Sequence, residues 1–224
     1  MKKTVTLTIV FFALLLLSCT AVRNVKPLNK GDSRISLSFG GPITEVAGTN
    51  IPLPLLNVGY SYGVYDDVSI ESGMALTDLL FGVMHIDGGI TFHPLTIEKW
   101  NAGAYVSPGF VLTTNFKEDS FRLLPALNLG WYWEHKKSFF YTGVDSWFEF
   151  RNKRTDQNPQ KNRWLPALYL GYGLNHNTWC FQVEGRLFTP HLKNSGRPVN
   201  NQGIGQHGIW GIYIGVNRSF GGRK

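Results

Sequence analysis

Cysteine is scarce in this 224-residue chain, which contains only Cys19 and Cys180. Two cysteines are too few to build the disulfide framework of a small secreted domain, and they cannot supply a cysteine-rich metal cluster. We therefore expect neither a metal site nor a cofactor.

Helical periodicity and long hydrophobic runs are also missing. Past residue 32 the chain shows no sustained 3.6-residue period, which argues against a helical domain. The main apolar block, Val5 to Leu17, is too short to span a bilayer as a helix, which takes roughly 20 residues.

The N-terminus has the order of an export signal. Lys2 and Lys3 precede the apolar block, and Ser18 and Cys19 follow it. We interpret residues 1–18 as a cleaved signal peptide. Its removal lowers the formal net charge of +7 by two and leaves a chain long enough for one domain with a substantial core.

The end of this signal resembles the bacterial lipobox, in which cysteine becomes the lipidated first residue after cleavage. The residues concerned are Leu16-Leu17-Ser18-Cys19. The resemblance implies an acyl anchor such as palmitate on Cys19, and Thr20 in place of aspartate implies sorting to the outer membrane. Residues 19–32 then form a lipidated polar linker. The alternative is an ordinary secretory signal with an incidental Cys19.

The rest of the chain alternates between apolar and polar residues, as strands with two different faces do. In "TWCFQVEGRLF", residues 178–188, one face carries Trp179, Phe181, Val183 and Leu187, and the other carries Gln182, Glu184 and Arg186. The segments "YTGVDSWFEF" and "GIWGIYIGVNRSF" repeat this pattern.

We predict ten antiparallel strands, with eight or twelve as alternatives because the apolar run "ALTDLLFGVM" at 75–84 hides its turn. Short connections at "YDD", "EHKKS" and "NHN" alternate with longer ones at 41–53, 152–163 and 189–207, an asymmetry typical of membrane-spanning barrels. The predicted strands lie near residues 33–40, 54–64, 68–77, 83–93, 101–113, 121–134, 138–151, 164–174, 178–188 and 208–220.

Alternation alone leaves open which face is outward. A soluble lipocalin-like barrel, anchored in the periplasm and binding an apolar ligand, would place the apolar face inside. The second face here is rich in Gly, Ser, Tyr and Asn rather than in Lys and Glu, which favours a narrow lumen over a water-facing surface. The apolar face also places aromatic residues towards strand ends, as the girdles of membrane barrels do: Trp131, Trp133, Trp179, Trp210 and Phe220.

Residues 33–220 thus resemble the small bacterial outer-membrane β-barrels. The last strand, "IYIGVNRSF", is similar to the C-terminal signal that the barrel assembly machinery recognises, although the tail 221–224 follows Phe220. This resemblance implies a closed up-and-down transmembrane barrel, with outer-membrane lipids and that machinery as partners.

With the apolar face outward, charges of both signs point into the lumen. A ten-stranded barrel has little free interior, so we expect a packed or very narrow lumen filled by ion pairs and hydrogen bonds. The predicted polar network comprises Glu71, His85, Asp87, Arg122, Asp145, Glu149, Glu184 and Arg186.

An outer-membrane hydrolase, either a protease or a lipid A-modifying enzyme, is the enzymatic alternative. His85 and Asp87 lie two residues apart on one inward face, where the carboxylate could orient the imidazole as a general base. "HID" is a weak pattern that stands beside no catalytic motif, so we favour structural pairing and a protein that is not an enzyme.

A basic outer loop suggests binding at the surface. The segment 151–164 has one acid, Asp156, among several basic residues, and Lys193 and Arg197 add charge in the last long loop. Such a rim would attract lipopolysaccharide phosphates or other polyanions. We expect no nucleic-acid binding, because no aromatic stacking platform accompanies the charges. The basic residues of this loop are Arg151, Lys153, Arg154, Lys161 and Arg163.

Overall fold

The computed structural model describes residues 25–46, 48–116, 120–152, 160–193 and 202–221. The predicted signal peptide and Cys19 lie outside these ranges. No helix in the described part of the chain is long and apolar enough to cross a membrane. The strands are β1 (Ser33–Val46), β2 (Thr49–Pro52), β3 (Leu55–Tyr65), β4 (Val68–Ala75), β5 (Val83–Ile97), β6 (Ala102–Asn115), β7 (Ser120–His135), β8 (Ser138–Phe148), β9 (Trp164–His176), β10 (Trp179–Lys193) and β11 (His207–Phe220).

Ten of these strands form a closed antiparallel barrel in chain order, as the sequence predicted. The barrel closes between its first and last strands, where β1 pairs with β11 from Ser33 opposite Phe220 to Pro42 opposite Gly211. The short strand β2 pairs only with the far end of β1 and forms a hairpin arm with it. Closure leaves the wall of the barrel without an unpaired edge.

The two ends of the barrel differ in their connections. At the inner end, tight turns join β3 to β4, β7 to β8 and β9 to β10, and the last two contain Lys136 and Asn177 in the left-handed region. The 3₁₀ helix Glu98–Trp100 joins β5 to β6 at the same end. At the outer end the apolar run 75–84 contains the short helix α1 (Leu76–Leu80) between β4 and β5. Short turns identify the periplasmic end of an outer-membrane barrel, so this asymmetry orients the chain.

Large apolar side chains cover the outside of the barrel. They alternate with inward residues along every long strand, as the two-residue period of a strand requires. Examples from around the whole wall are Ile35, Leu37, Phe39, Ile70, Ile90, Phe110, Leu123, Leu129, Leu168, Leu170, Phe181, Val183, Ile212 and Ile214, all exposed.

The inside of the barrel carries many polar side chains, and several charged ones are buried. Asp145 is 0% exposed, Glu184 1% and Arg186 3%. A soluble barrel keeps apolar side chains inside and polar ones in water. The faces here are reversed, which rules out the lipocalin-like alternative and makes the outer wall a surface for lipid.

Inward aromatic rings lie across glycines of the neighbouring strand. Tyr105 lies over Gly130 and Tyr141 over Gly171, so a Cβ built on either glycine would come within 2.2 Å of a ring carbon. These residues are direct cross-strand partners in the sheet. Glycine is needed at these positions because a side chain would occupy the space of the ring. Three further pairs repeat the arrangement: Tyr132 with Gly103, Tyr169 with Gly143 and Phe139 with Gly173.

Candidate functional site

The segment before β1 fills the inner mouth of the barrel, where the sequence predicted a linker. Val25 and Leu28 are 2% and 3% exposed, and Val25 belongs to a buried cluster with Phe139, Tyr141 and Cys180. We call residues 25–32 the inner plug. Apolar side chains at two of its positions remove area from water on docking, which stabilises the closed arrangement.

Polar contacts hold the inner plug in place. Lys26 Nζ donates to Glu134 Oε2 at 2.7 Å, and a nitrogen of His93 lies 3.2 Å from the carbonyl oxygen of Val25. Gly31 N donates to the carbonyl of Gly63 at 2.8 Å, and Gly63 N donates to that of Asp32 at 2.9 Å. A Cβ on Gly63 would lie 2.1 Å from the carbonyl oxygen of Asn29, so only glycine admits the plug here.

A layer of tyrosines lies above the plug. Tyr105 and Tyr169 join their hydroxyl groups at 2.6 Å, and the Tyr169 hydroxyl donates to Asn128 Oδ1 at 2.7 Å. Since one hydroxyl has a single proton, Tyr105 must be the donor to Tyr169. Tyr141, which is fully buried, packs beside Tyr169 with ring centroids 6.2 Å apart. The rings fill the middle of the lumen.

One guanidinium joins two carboxylates beside the tyrosines, since Arg186 lies directly opposite Tyr169 in the sheet. Arg186 Nη1 lies 3.3 Å from Asp145 Oδ2, and Arg186 Nε donates to Glu184 Oε1. The same guanidinium lies 5.4 Å from the ring centre of Tyr169 and 5.9 Å from that of Tyr213. Buried charges are tolerated only when they are paired in this way.

The outer half of the lumen contains a cavity of about 310 Å³ above this ion cluster. We call it the outer cavity. One wall is aromatic, since Trp147 and Phe188 stack at 6.2 Å with an interplanar angle of 18°. The remaining lining is Leu55, Asn57, Ala75, Asp78, His85, Asp87, Val111, Thr113, Leu124, Asp145, Leu165, Arg186 and Tyr213.

The predicted pair of His85 and Asp87 lines this cavity, but its contacts differ from the prediction. His85 Nδ1 lies 3.2 Å from Asp78 Oδ2, and Asp78 is on helix α1. Among the described residues, no serine, threonine or cysteine hydroxyl or thiol contacts the other ring nitrogen. The imidazole therefore has an orienting carboxylate, supplied by Asp78.

A basic rim occupies one side of the outer end. We define it by the described residues Arg151, Lys161, Arg163 and Lys193, all exposed, at the β8–β9 connection and the end of β10. These elements are neighbours because β9 pairs with both β8 and β10. The predicted residues Lys153, Arg154 and Arg197 lie outside the described ranges.

Backbone and side-chain contacts fix the base of this rim. Arg163 Nη2 donates to Asn152 Oδ1 at 2.9 Å, and Glu149 N donates to the carbonyl of Arg163 at 2.8 Å. The Glu149 carboxylate accepts from Arg151 N at 2.8 Å and lies 3.5 Å from Arg122 Nη1. Glu149 is buried and pairs with Arg122. The rim cations are exposed, and the Arg151 guanidinium also donates to the carbonyl of Phe121.

Aromatic side chains lie at both ends of the apolar belt. Trp131, Trp133, Trp179 and Phe220 are near the inner end, and Trp164 and Trp210 are near the outer end. Arg218 lies about 5 Å from the ring centres of Trp179 and Phe220. Aromatic girdles around an apolar belt with a polar interior are specific to barrels that sit in lipid. The chain is an outer-membrane β-barrel.

Solved structures of similar fold are bacterial outer-membrane proteins. The chain is similar to OprG from Pseudomonas aeruginosa, at 14% identity over 89% of this chain and 100% of OprG, with a TM-score of 0.34. For the translocator domain of NalP from Neisseria meningitidis the identity is 9%, over 86% and 90% of the two chains, with a TM-score of 0.46. For Ail from Yersinia pestis it is 11%, over 85% and 99%, at 0.29. No protein-family model and no curated protein match the chain.

The structure brings most of the predicted polar network into one lumen. Asp87, Asp145, Glu149, Glu184 and Arg186 are buried, whereas Glu71, His85 and Arg122 are partly exposed. In the described part of the chain, no group of three or more His, Cys, Asp or Glu side chains could hold a metal ion. Sequence reasoning missed the inner plug, the tyrosine layer and Asp78. The two-residue alternation along a strand is enough to place Tyr105 and Tyr169 inside the barrel. It does not indicate that residues 25–32 turn into the barrel.

Proposed function

We propose that this outer-membrane barrel is a lipid-anchored, non-enzymatic surface protein whose basic rim binds phosphate groups of the outer leaflet, as in lipopolysaccharide. The single observation that carries this proposal is the clustering of Arg151, Lys161, Arg163 and Lys193 on one side of the outer end. Guanidinium and ammonium groups form charge-assisted hydrogen bonds with phosphate.

The composition of the rim suits a phosphorylated lipid rather than a free anion. Phe150 and Trp164 are exposed beside the cations, at 65% and 52%. Trp164 is held by a hydrogen bond from Nε1 to Ser146 Oγ at 3.1 Å and by stacking on His191. A fixed aromatic ring next to cations can contact acyl chains while the cations contact the headgroup.

The experiment measures binding of purified lipopolysaccharide and of its dephosphorylated form to the refolded, detergent-solubilised protein. We expect the triple variant Arg151→Ala, Lys161→Ala, Arg163→Ala to lose about tenfold in affinity, or ~1.4 kcal/mol, since exposed ionic contacts contribute 0.2–1 kcal/mol each. The matched control replaces three exposed lysines at the inner end, Lys99, Lys136 and Lys137, with alanine. Equal affinity for the two lipid forms, or equal losses in the two triple variants, would contradict the proposal.

The anchor at Cys19 is the second part of the proposal. The inner plug begins at Val25 in the inner mouth, which is the periplasmic end of the barrel. Five residues lie between Cys19 and Val25, and these six residue steps span at most roughly 20 Å, which is enough to reach the neighbouring inner leaflet. An acyl chain there adds a second attachment to the membrane.

Metabolic labelling with a fatty acid tests the anchor. We expect label on the wild-type protein, no label on Cys19→Ala, and the same heat-modifiable electrophoretic migration for both, because the barrel does not depend on the anchor for its fold. Persistent label on Cys19→Ala would exclude Cys19 as the lipidated residue.

The proposal assigns His85 a structural role, because its ring pairs with the carboxylate of Asp78 on helix α1.

A further inference from the structure

We propose that the outer cavity is a binding site for a small organic cation: an amine with an apolar, preferably aromatic, body. This site is distinct from the basic rim, and the inference does not depend on the proposed function. Four features of the cavity support it: its size, its closed floor, its apolar walls and the sign of its charges.

Size and shape set the scale of the ligand. At about 310 Å³ the cavity is at the lower limit of small-molecule pockets. It would hold about ten non-hydrogen atoms, if each takes roughly the 30 Å³ that a water molecule occupies in the liquid. Arg186 and Tyr213 line its inner end, and Arg186 lies over the ring of Tyr169 in the tyrosine layer below. A ligand therefore enters and leaves at the outer end.

The walls favour an apolar body. Leu55, Val111, Leu124 and Leu165 surround the space, and the stacked pair of Trp147 and Phe188 adds a flat aromatic surface. Offset stacking or edge contact with such rings contributes about 0.5–1.5 kcal/mol beyond area burial. A cation close to a ring face is also attracted by the ring quadrupole.

The charges favour a cationic head. The carboxylates of Asp78, Asp87 and Asp145 line the cavity, against the guanidinium of Arg186 and the imidazole of His85. Arg186 is shared between Asp145 and Glu184, so one positive charge faces two negative ones at the floor. Low-dielectric walls focus this negative excess into the cavity. The cations of the basic rim face solvent instead, where salt screens them within about 8 Å.

The test uses three probes of similar shape and different charge: 2-phenylethylamine, 2-phenylethanol and phenylacetate. Binding to the refolded protein in detergent micelles is measured by saturation-transfer NMR and calorimetry, with empty micelles subtracted. We expect the amine to bind at least tenfold more tightly than phenylacetate, with the alcohol between them. Equal affinity for the amine and phenylacetate, or no signal above that of empty micelles, would overturn the inference.

Substitutions on one strand locate the binding site. Leu124 lines the cavity, whereas its neighbour Leu123 faces lipid and is 50% exposed. We expect Leu124→Trp to abolish amine binding and Leu123→Trp to leave it unchanged. If Leu124→Trp does not fold, Asp87→Asn serves instead, and it should reduce the preference for the amine over phenylacetate about fivefold. Unchanged amine binding in a folded Leu124→Trp, or an unchanged preference in Asp87→Asn, would place the ligand elsewhere and refute the site.

Discussion

Charged side chains are buried inside this barrel, where they are stable only because they are paired with one another. The two-residue period of a strand is enough to assign Asp145, Glu184 and Arg186 to the lumen from sequence alone. Their pairing was not predictable in the same way. Arg186 meets Asp145 across 41 positions of sequence, a contact that depends on the curvature and register of three strands. The carboxylate partner of His85 was not predictable either. The alternation of the strand suggested Asp87, whereas the structure shows Asp78 of helix α1 in contact with the ring.

The Arg186 cluster yields a stability prediction. Arg186→Met leaves two carboxylates buried without their cation, which costs about 3–5 kcal/mol when one partner of a buried pair is removed. The triple variant with Asp145→Asn and Glu184→Gln removes the charges together, so we expect most of the loss to be recovered. The measurement is the urea midpoint of unfolding in lipid vesicles, followed by heat-modifiable migration.

A matched control exists on the outside of the barrel. Arg218 is exposed at the inner end, and its guanidinium lies over the rings of Trp179 and Phe220. Arg218→Met should cost no more than about 1 kcal/mol, the value of an exposed cation–π contact. A loss for Arg186→Met as small as that for Arg218→Met would show that the buried cluster does not stabilise the fold.

Neighbouring strands pack together through aromatic rings on one strand that lie over glycines on the other. The sequence predicted the strands well because alternation, turn residues and strand length all indicate the same elements. It did not predict that β5 extends to Ile97, because a bulge between Phe92 and Leu95 interrupts the alternation there. It also gave the lumen face as rich in Gly and Tyr without showing that the two types face each other. That pairing follows from register, which closure of the barrel fixes.

The pairing of aromatic rings with glycines predicts that valine substitutions at two glycines will differ strongly in their effect on the free energy of unfolding. Gly171 lies under the ring of Tyr141, whereas a Cβ on Gly185 of the next strand would meet only the carbonyl oxygen of Leu170 at 4.0 Å. Gly171→Val should therefore lower the unfolding free energy by about 1–3 kcal/mol, the usual cost of overpacking. Gly185→Val should change it by less than about 0.5 kcal/mol. Equal urea midpoints for the two variants would exclude a packing role for the pair.

At the scale of the whole molecule, the lumen is divided into three levels between the two membrane surfaces. The inner plug closes the periplasmic mouth, the tyrosine layer fills the middle, and the outer cavity is open towards the outside. The sequence predicted a packed or very narrow lumen from the strand count, and that expectation agrees with the inner two levels. The outer cavity depends on side-chain volumes, and the inner plug depends on a reversal of the chain before β1. Neither produces a periodic pattern in the sequence.

The division into levels predicts how the barrel behaves when the plug is removed. In a Cys19→Ser background Cys180 is the only thiol, and it is 9% exposed in the cluster that contains Val25. Deletion of residues 20–32 should raise the rate of Cys180 modification by a water-soluble thiol reagent at least tenfold, because the deletion opens the inner mouth.

The same deletion variant should remain non-conducting in a planar bilayer, since the rings of Tyr105, Tyr141 and Tyr169 still fill the lumen. Substitution of these three tyrosines by alanine, in addition to the deletion, should then allow ion current. Ion current from the deletion alone would show that the plug, rather than the tyrosine layer, is the barrier, and an unchanged modification rate would show that residues 25–32 do not protect Cys180.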